Sequence, residues 1–161
     1  MNKHYYFAYG MNTNIGGMKS RCPAAISIGS AMLANYEFRF ACHADVVPKL
    51  GAKTVGVLWE LTDKCLASLD RLESYPVYYD RVIVPIIHKD RIHKGWVYTM
   101  QPGHAESPPG NGYWDCLMEG YKEHDVSRRQ LHTALNRSRD NYRSVYTEHI
   151  YDWQTDRYTS H

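Results

Sequence analysis

The chain has 161 residues, 43% of them hydrophobic and 22% charged, which suits a single domain built around one core. Nineteen Lys and Arg against seventeen Asp and Glu leave a formal charge of +2, too little to call for a nucleic-acid or membrane partner. No apolar stretch has the length of a spanning helix, and "MNKHYYFAYG" lacks the apolar segment of a leader peptide, so a cytoplasmic location is expected.

In chain order, the first predicted element is a strand over Tyr5 to Tyr9. It stops on Gly10 and gives way to a small, polar run through Asn12, Thr13, Asn14, Gly16 and Gly17, read as a loop. β-branched and aromatic residues then predict strands over Ala25 to Leu33, Tyr36 to Cys42 and Thr54 to Leu61. Alternation in the last of these puts Val55, Val57, Trp59 and Leu61 on one face, with Gly56, Leu58 and a solvent-facing Glu60 on the other. The period switches at "LTDKCLASLDRLE": Thr62 can cap a helix, Cys65, Leu66, Leu69 and Leu72 form its apolar stripe, and Glu73 closes it.

Strands over Tyr79 to Ile87 and Gly95 to Met100 follow, then the loop "QPGHAESPPGNG" from Gln101 to Gly112. Five or six strands make a sheet that can be open or closed. Helices are predicted over Tyr113 to His124 and Arg128 to about Arg139. The second starts from a possible capping box of Ser127 and Gln130 and buries Leu131, Ala134 and Leu135. The segment from 142 to 161 reads as an aromatic-rich C-terminal extension of the same domain, packed against it.

Cys22, Cys42, Cys65 and Cys116 lie far apart with no Cys-x-x-Cys pair, as expected of free thiols in a reducing compartment. The nine histidines are scattered or sit beside a hairpin connection, so no metal site is expected. Ser127 to Arg143 carries five arginines, which reads as a solvated helix face in preference to a nucleic-acid interface.

Four stretches taken in order, "YFAYGMNTN", "VGVLWELT", "LDRLESYPVYYDRVIVPI" and "SPPGNGYWDCLMEGYKEHD", resemble the γ-glutamylcyclotransferase family. The resemblance implies a small mixed β-barrel with flanking helices, an α+β fold without a cofactor. It also implies a Tyr-Gly-Ser-Asn loop, here Tyr9, Gly10, Met11 and Asn12, and a catalytic carboxylate, here Glu73. Met11 departs from the family's serine and puts substrate preference in question. Pro108, Pro109 and Tyr113 hold the places of the family's Pro-rich loop and its closing tyrosine.

The implied reaction converts a γ-glutamyl amine or γ-glutamyl amino acid to 5-oxoproline, releasing the free amine. The nucleophile is the substrate's own α-amine, so no Ser-His-Asp or Cys-His arrangement is needed. That amine arrives largely as an ammonium, since its pKa is about 7.7 to 8.0. One carboxyl group can take its proton and return it to the departing nitrogen. The role falls to Glu73, with a pKa raised toward about 6 or 7 by an apolar surround from Trp59, Tyr75, Tyr78 and Tyr79.

The amides of Gly10, Met11 and Asn12 are expected to turn toward substrate oxygens, with Tyr9, Tyr98 and Tyr113 lining the pocket. The expected partner is this small molecule, and the chain is expected to be a monomer or homodimer. The alternative is a non-catalytic member of the same fold that binds a small ligand or a protein.

Overall fold

In the computed structural model, which describes residues 2–155 and side chains as far as 144, five strands close into a barrel. β1 (Lys3–Ala8) pairs antiparallel with β3 (His43–Thr62), setting Tyr6 opposite Trp59 and Ala8 opposite Val57. β3 pairs along its length with β2 (Ile26–Ala41). β4 (Tyr79–His88) joins β2 at Met32 and Ile87 and forms a long hairpin with β5 (Arg91–Met100). A parallel contact between Tyr6 of β1 and Trp96 of β5 completes the circuit.

Closure explains why the alternation read in β3 does not separate a wet face from a dry one. Val57, Leu58 and Leu61 are all buried, because both faces of this strand are covered. Glu60 is half-buried and ion-paired to Lys3 at 3.0 Å instead of standing free in solvent.

The strands predicted separately over Ala25 to Leu33 and Tyr36 to Cys42 are one strand. The gap between them is a register shift at Ala34 and Tyr36, where Asn35 adopts φ 63° and accepts a hydrogen bond from the Gly51 amide at 2.9 Å. Similarly, β3 begins 11 residues before the predicted Thr54, because Asp45, Pro48, Lys49, Gly51 and Lys53 mask its early part.

Four helices surround the barrel. α1 (Ile15–Arg21) begins inside the expected loop, which ended at Gly17: its two glycines hide the start of a helix that Asn14 caps by accepting from the Gly17 amide at 3.1 Å. α2 (Asp63–Leu72) is capped by Thr62, which accepts from the Cys65 amide at 3.2 Å, and ends with Glu73 at its C-cap.

α3 (Asn111–Glu123) packs on the β1–α1 connection: Tyr121 donates to the Tyr9 carbonyl at 2.6 Å, and Asn14 donates to Glu119 at 2.9 Å. α4 (Arg129–Thr155) runs well beyond the expected Arg139. Ser127 accepts from the Arg129 amide, but Gln130 does not return to complete a capping box. It bridges to both backbone groups of Val55 and donates to Tyr121 at 2.6 Å, tying α4 to β3 and α3. The expected packing of the aromatic extension falls mostly outside the described side chains; Tyr142, which lies within them, is 50% exposed.

Candidate active site

β1 ends on Ala8, and after Tyr9 the chain turns at Gly10 into a single 3₁₀ turn over Met11–Thr13. The Thr13 amide closes this turn on the Gly10 carbonyl and the Asn14 amide closes on Met11, both at 3.1 Å. A Cβ on Gly10 would lie 3.0 Å from the Tyr113 hydroxyl and 3.1 Å from Ala44 Cβ, so glycine is what lets α3 and β3 close over the turn. Next to it is a cavity of about 260 Å³.

Tyr9, Gly10, Met11, Asn12, Glu73, Tyr98 and Tyr113, the site residues expected from sequence, all line this one cavity. Tyr78 and Tyr79 line it too, but two other members of the expected aromatic surround do not. Trp59 packs against His124, and Tyr75 stacks on Arg81 with the guanidinium carbon 4.4 Å from its ring centroid.

Glu73 reaches the cavity because α2 stops there. Its amide bonds the Leu69 carbonyl at 2.9 Å, while its side chain leaves the helix for the buried end of β1. Among the described residues, one side-chain donor lies within hydrogen-bond distance, Asn12 Nδ2, at 3.5 Å from Oε1. Burial therefore dominates and lifts the carboxyl to about 7, with the Arg21 guanidinium pulling weakly the other way. The carbonyl end of α2 also disfavours negative charge. Glu73 thus holds or releases a proton near neutral pH.

Three of the surrounding tyrosines have their protons committed to the protein. Tyr9 donates to the Tyr98 carbonyl at 2.6 Å, Tyr98 to Asp70 at 2.7 Å, and Tyr79 to the Ala44 carbonyl at 2.8 Å. Their oxygens keep lone pairs available to a ligand, and burial holds all three phenols well above their ordinary pKa, so they stay neutral. A wall of phenolic acceptors beside one carboxyl suits an ammonium group.

Tyr113 is held the opposite way. Its oxygen accepts from the Ala44 amide at 2.9 Å, and the Met11 amide is directed at it too. Of the three loop amides expected to face substrate, Met11 is therefore met by a protein oxygen, while those of Gly10 and Asn12 are not used by the turn's own bonds.

Tyr6, His43, Ala44, Leu72 and Ser74 also line the cavity and were not read from the sequence. Tyr6 was legible only as a strand residue. His43 and Ala44 come from the unrecognised start of β3. Among the described residues, no three His, Cys, Asp or Glu side chains cluster as metal ligands.

Comparison with known proteins agrees with this architecture. The profile of the family described as Gamma-glutamyl cyclotransferase, AIG2-like matches residues 6–116, and the chain belongs to that family. Among solved structures it is similar to a protein titled Gamma-glutamyl cyclotransferase, with a TM-score of 0.73 at 22% identity over 80% of this chain and 85% of that one. It is also similar to the Homo sapiens protein loc79017, with a TM-score of 0.74 at 23% identity over 81% of this chain and 85% of that one. YkqA from Bacillus subtilis gives a TM-score of 0.73 at 24% identity over 84% of this chain and 55% of that one. At these identities the likeness concerns the fold. The comparison with curated proteins gives no match.

Proposed function

We propose that this chain cyclises a γ-glutamyl amine or γ-glutamyl amino acid to 5-oxoproline and releases the free amine. The observation that carries the reading is Glu73, a carboxyl starved of donors and poised at about 7 inside a tyrosine-walled cavity. A group with that pKa can serve as base and then acid within one turnover at neutral pH.

In this reading the α-ammonium of the substrate lies among the phenolic oxygens and gives a proton to Glu73. The freed nitrogen attacks the γ-carbonyl carbon, a C–N bond forms, and the carbonyl electron pair moves to oxygen. Glu73 returns the proton to the former amide nitrogen and takes the extra proton now on the ring nitrogen; the C–N bond to the departing nitrogen breaks, the carbonyl is restored in the neutral lactam, and that last proton leaves with the amine as an ammonium. No atom of the protein enters a covalent intermediate.

Folding the flexible glutamyl chain into its cyclising conformer supplies much of the rate, since well-oriented intramolecular reactions reach effective molarities of about 10⁵ to 10⁸ M. A cavity closed by β1, the 3₁₀ turn, α2, β5 and α3 suits that task. The amides of Gly10 and Asn12 are the backbone donors offered to substrate oxygens.

The test is a mass-spectrometric screen of γ-glutamyl amides, from methylamide to phenethylamide and amino acids, for release of 5-oxoproline. Turnover of at least one class is the expected result. Saturable binding across the panel with no 5-oxoproline would replace this reading with that of a binding protein on the same fold.

A further inference from the structure

Asn12 sits between three side chains that together fix which way its amide faces. Arg21 Nε lies 3.0 Å from Asn12 Oδ1, and a guanidinium only donates, so the oxygen of the amide must face Arg21. Nδ2 then faces the cavity, where it donates to Tyr6 Oη at 3.0 Å and lies 3.5 Å from Glu73 Oε1. Tyr6 is buried and lines the cavity, and in its one hydrogen bond within the described residues it is the acceptor. Its proton is left for a ligand.

Tyr6 therefore differs from Tyr9, Tyr79 and Tyr98; Tyr113 also accepts from protein, but of the two Tyr6 shares its donor with Glu73. Tyr9, Tyr79 and Tyr98 give their protons to protein oxygens, whereas Tyr6 receives one from protein and keeps its own. We infer that Arg21, acting through Asn12, makes Tyr6 a committed hydrogen-bond donor to the scissile carbonyl oxygen, with Tyr6 touching the substrate and Arg21 acting as a positioning residue. This inference rests on the cyclotransferase reading above.

The geometry selects that oxygen. Glu73 must reach both the attacking and the departing nitrogen, and both are bonded to the carbonyl carbon at the moment of exchange. Tyr6 and Glu73 share one Asn12 amide, so the phenol proton lies beside the same carbon. Burial first, and then the nearby Glu73 charge, hold the Tyr6 phenol far above its ordinary pKa, so the donor stays protonated. A donor waiting where negative charge develops needs no rearrangement during reaction.

The surroundings of Arg21 are built for this placement. Its carbonyl accepts from Ser68 of α2 at 3.0 Å, joining the two helices that carry Arg21 and Glu73. A Cβ on Gly17 would lie 2.7 Å from Arg21 Nη2, so the glycine makes room for the guanidinium. Nη2 is buried without a hydrogen-bond partner among the described residues, a cost the fold accepts while keeping Nε on Asn12.

The experiment measures kcat, KM and melting temperature for four variants on the best γ-glutamyl amide of the screen. Tyr6→Phe keeps the ring and should lower kcat about 10² to 10³-fold, the effect of removing one such donor, with KM within about threefold of wild type. Arg21→Gln can offer either an oxygen or an NH₂ to Asn12, which frees the amide to turn over, and should lower kcat about tenfold or more. Arg21→Lys only donates and should recover kcat to within about threefold. Gly17→Ala displaces the guanidinium while favouring the helix, so it should lower kcat without lowering the melting temperature.

A Tyr6→Phe enzyme that turns over at the wild-type rate would overturn the role of Tyr6. An Arg21→Lys enzyme as slow as Arg21→Gln would overturn the positioning role of Arg21. Both results leave cyclisation itself standing. Absence of 5-oxoproline from the wild-type protein across the whole panel would instead remove the proposed function, and this inference with it.

Discussion

Asp70 and Glu73 lie one helical turn apart at the end of α2, yet their surroundings treat them in opposite ways. Asp70 accepts from Arg81 Nε at 2.9 Å, from Arg81 Nη2 at 3.2 Å and from the Tyr98 hydroxyl at 2.7 Å. Arg81 is itself clamped between the Tyr75 and Trp96 rings, at 4.4 and 4.1 Å from their centroids. Among the described residues, Glu73 has one long contact with Asn12 and no cation within salt-bridge distance. A carboxylate supplied with three donors is an anchor that ties α2 to the barrel. One left without donors keeps an exchangeable proton, which is what acid–base chemistry requires.

The comparison breaks most sharply at Glu73→Gln. Glutamine fills the same space but neither takes nor returns a proton, so kcat should fall by about 10³-fold, within the range for loss of a general acid–base. The fold and ligand affinity should persist. Near-normal turnover in this variant would move the proton shuttle to another group.

The pH dependence sharpens the same contrast. Glu73 is raised from the ordinary 4.5 to about 7, so the folded protein favours its neutral form. That contribution to stability is complete below the ordinary carboxyl range and is lost as pH rises through about 7. Wild type should therefore lose stability relative to Glu73→Gln between roughly pH 5 and pH 8. By linkage the change is on the order of 3 kcal/mol, readable by urea unfolding at the two pH values. In wild type, kcat/KM should rise with pH along a limb centred near 7, where the base of the free protein becomes ionised. A limb centred near 4.5 would mean that the cavity does not dehydrate Glu73.

Asp70→Asn should behave in the converse way. It leaves the Arg81 guanidinium without its charge partner and weakens the hold on Tyr98, for a stability loss of about 1 to 3 kcal/mol. Because Asp70 supplies no proton to the reaction, kcat should fall less than about tenfold. A loss as deep as that of Glu73→Gln would mean that the two carboxylates work as a pair.

What was legible in advance follows from how local each signal is. The α2 helix was readable to its last residue, because Thr62, the apolar stripe from Cys65 to Leu72 and the closing Glu73 all lie in one short stretch, although Leu72 of that stripe is 40% exposed instead of buried. The cavity residues of the 3₁₀ turn were readable from their order relative to α2. Asn35 and the early part of β3 were not, because a bulge in a long hairpin is set by its partner strand and not by its own alternation. The environment of Glu73 was read only in part: Tyr78 and Tyr79 approach it, whereas Trp59 and Tyr75 are drawn away by His124 and Arg81 from other elements. Arg21 and Tyr6 carry no motif, and their importance appears only when donors and acceptors are counted across β1, α1 and α2.

The smallest expected effect lies at the cavity's outer edge, where Met11 stands in place of the family's serine. Tyr6, Tyr9 and Asn12 are buried, whereas Leu72 is 40% exposed and Met11 is partly so; in the proposed reaction the leaving group would meet this apolar margin on its way out. Met11→Ser leaves the backbone free to keep its bonds, since the Met11 carbonyl already accepts from the Asn14 amide. The change removes a partly buried apolar side chain that packs against the core and should cost about 1 kcal/mol of stability. Selectivity should move more. Losing apolar contact with the leaving amine should shift the preference for γ-glutamyl phenethylamide over γ-glutamyl methylamide by about tenfold, near the lower limit of what one hydrophobic contact discriminates. Both amines released from an equimolar mixture can be read in one mass spectrum. An unchanged product ratio would show that the thioether faces solvent during turnover and that selectivity is set deeper, among the phenols.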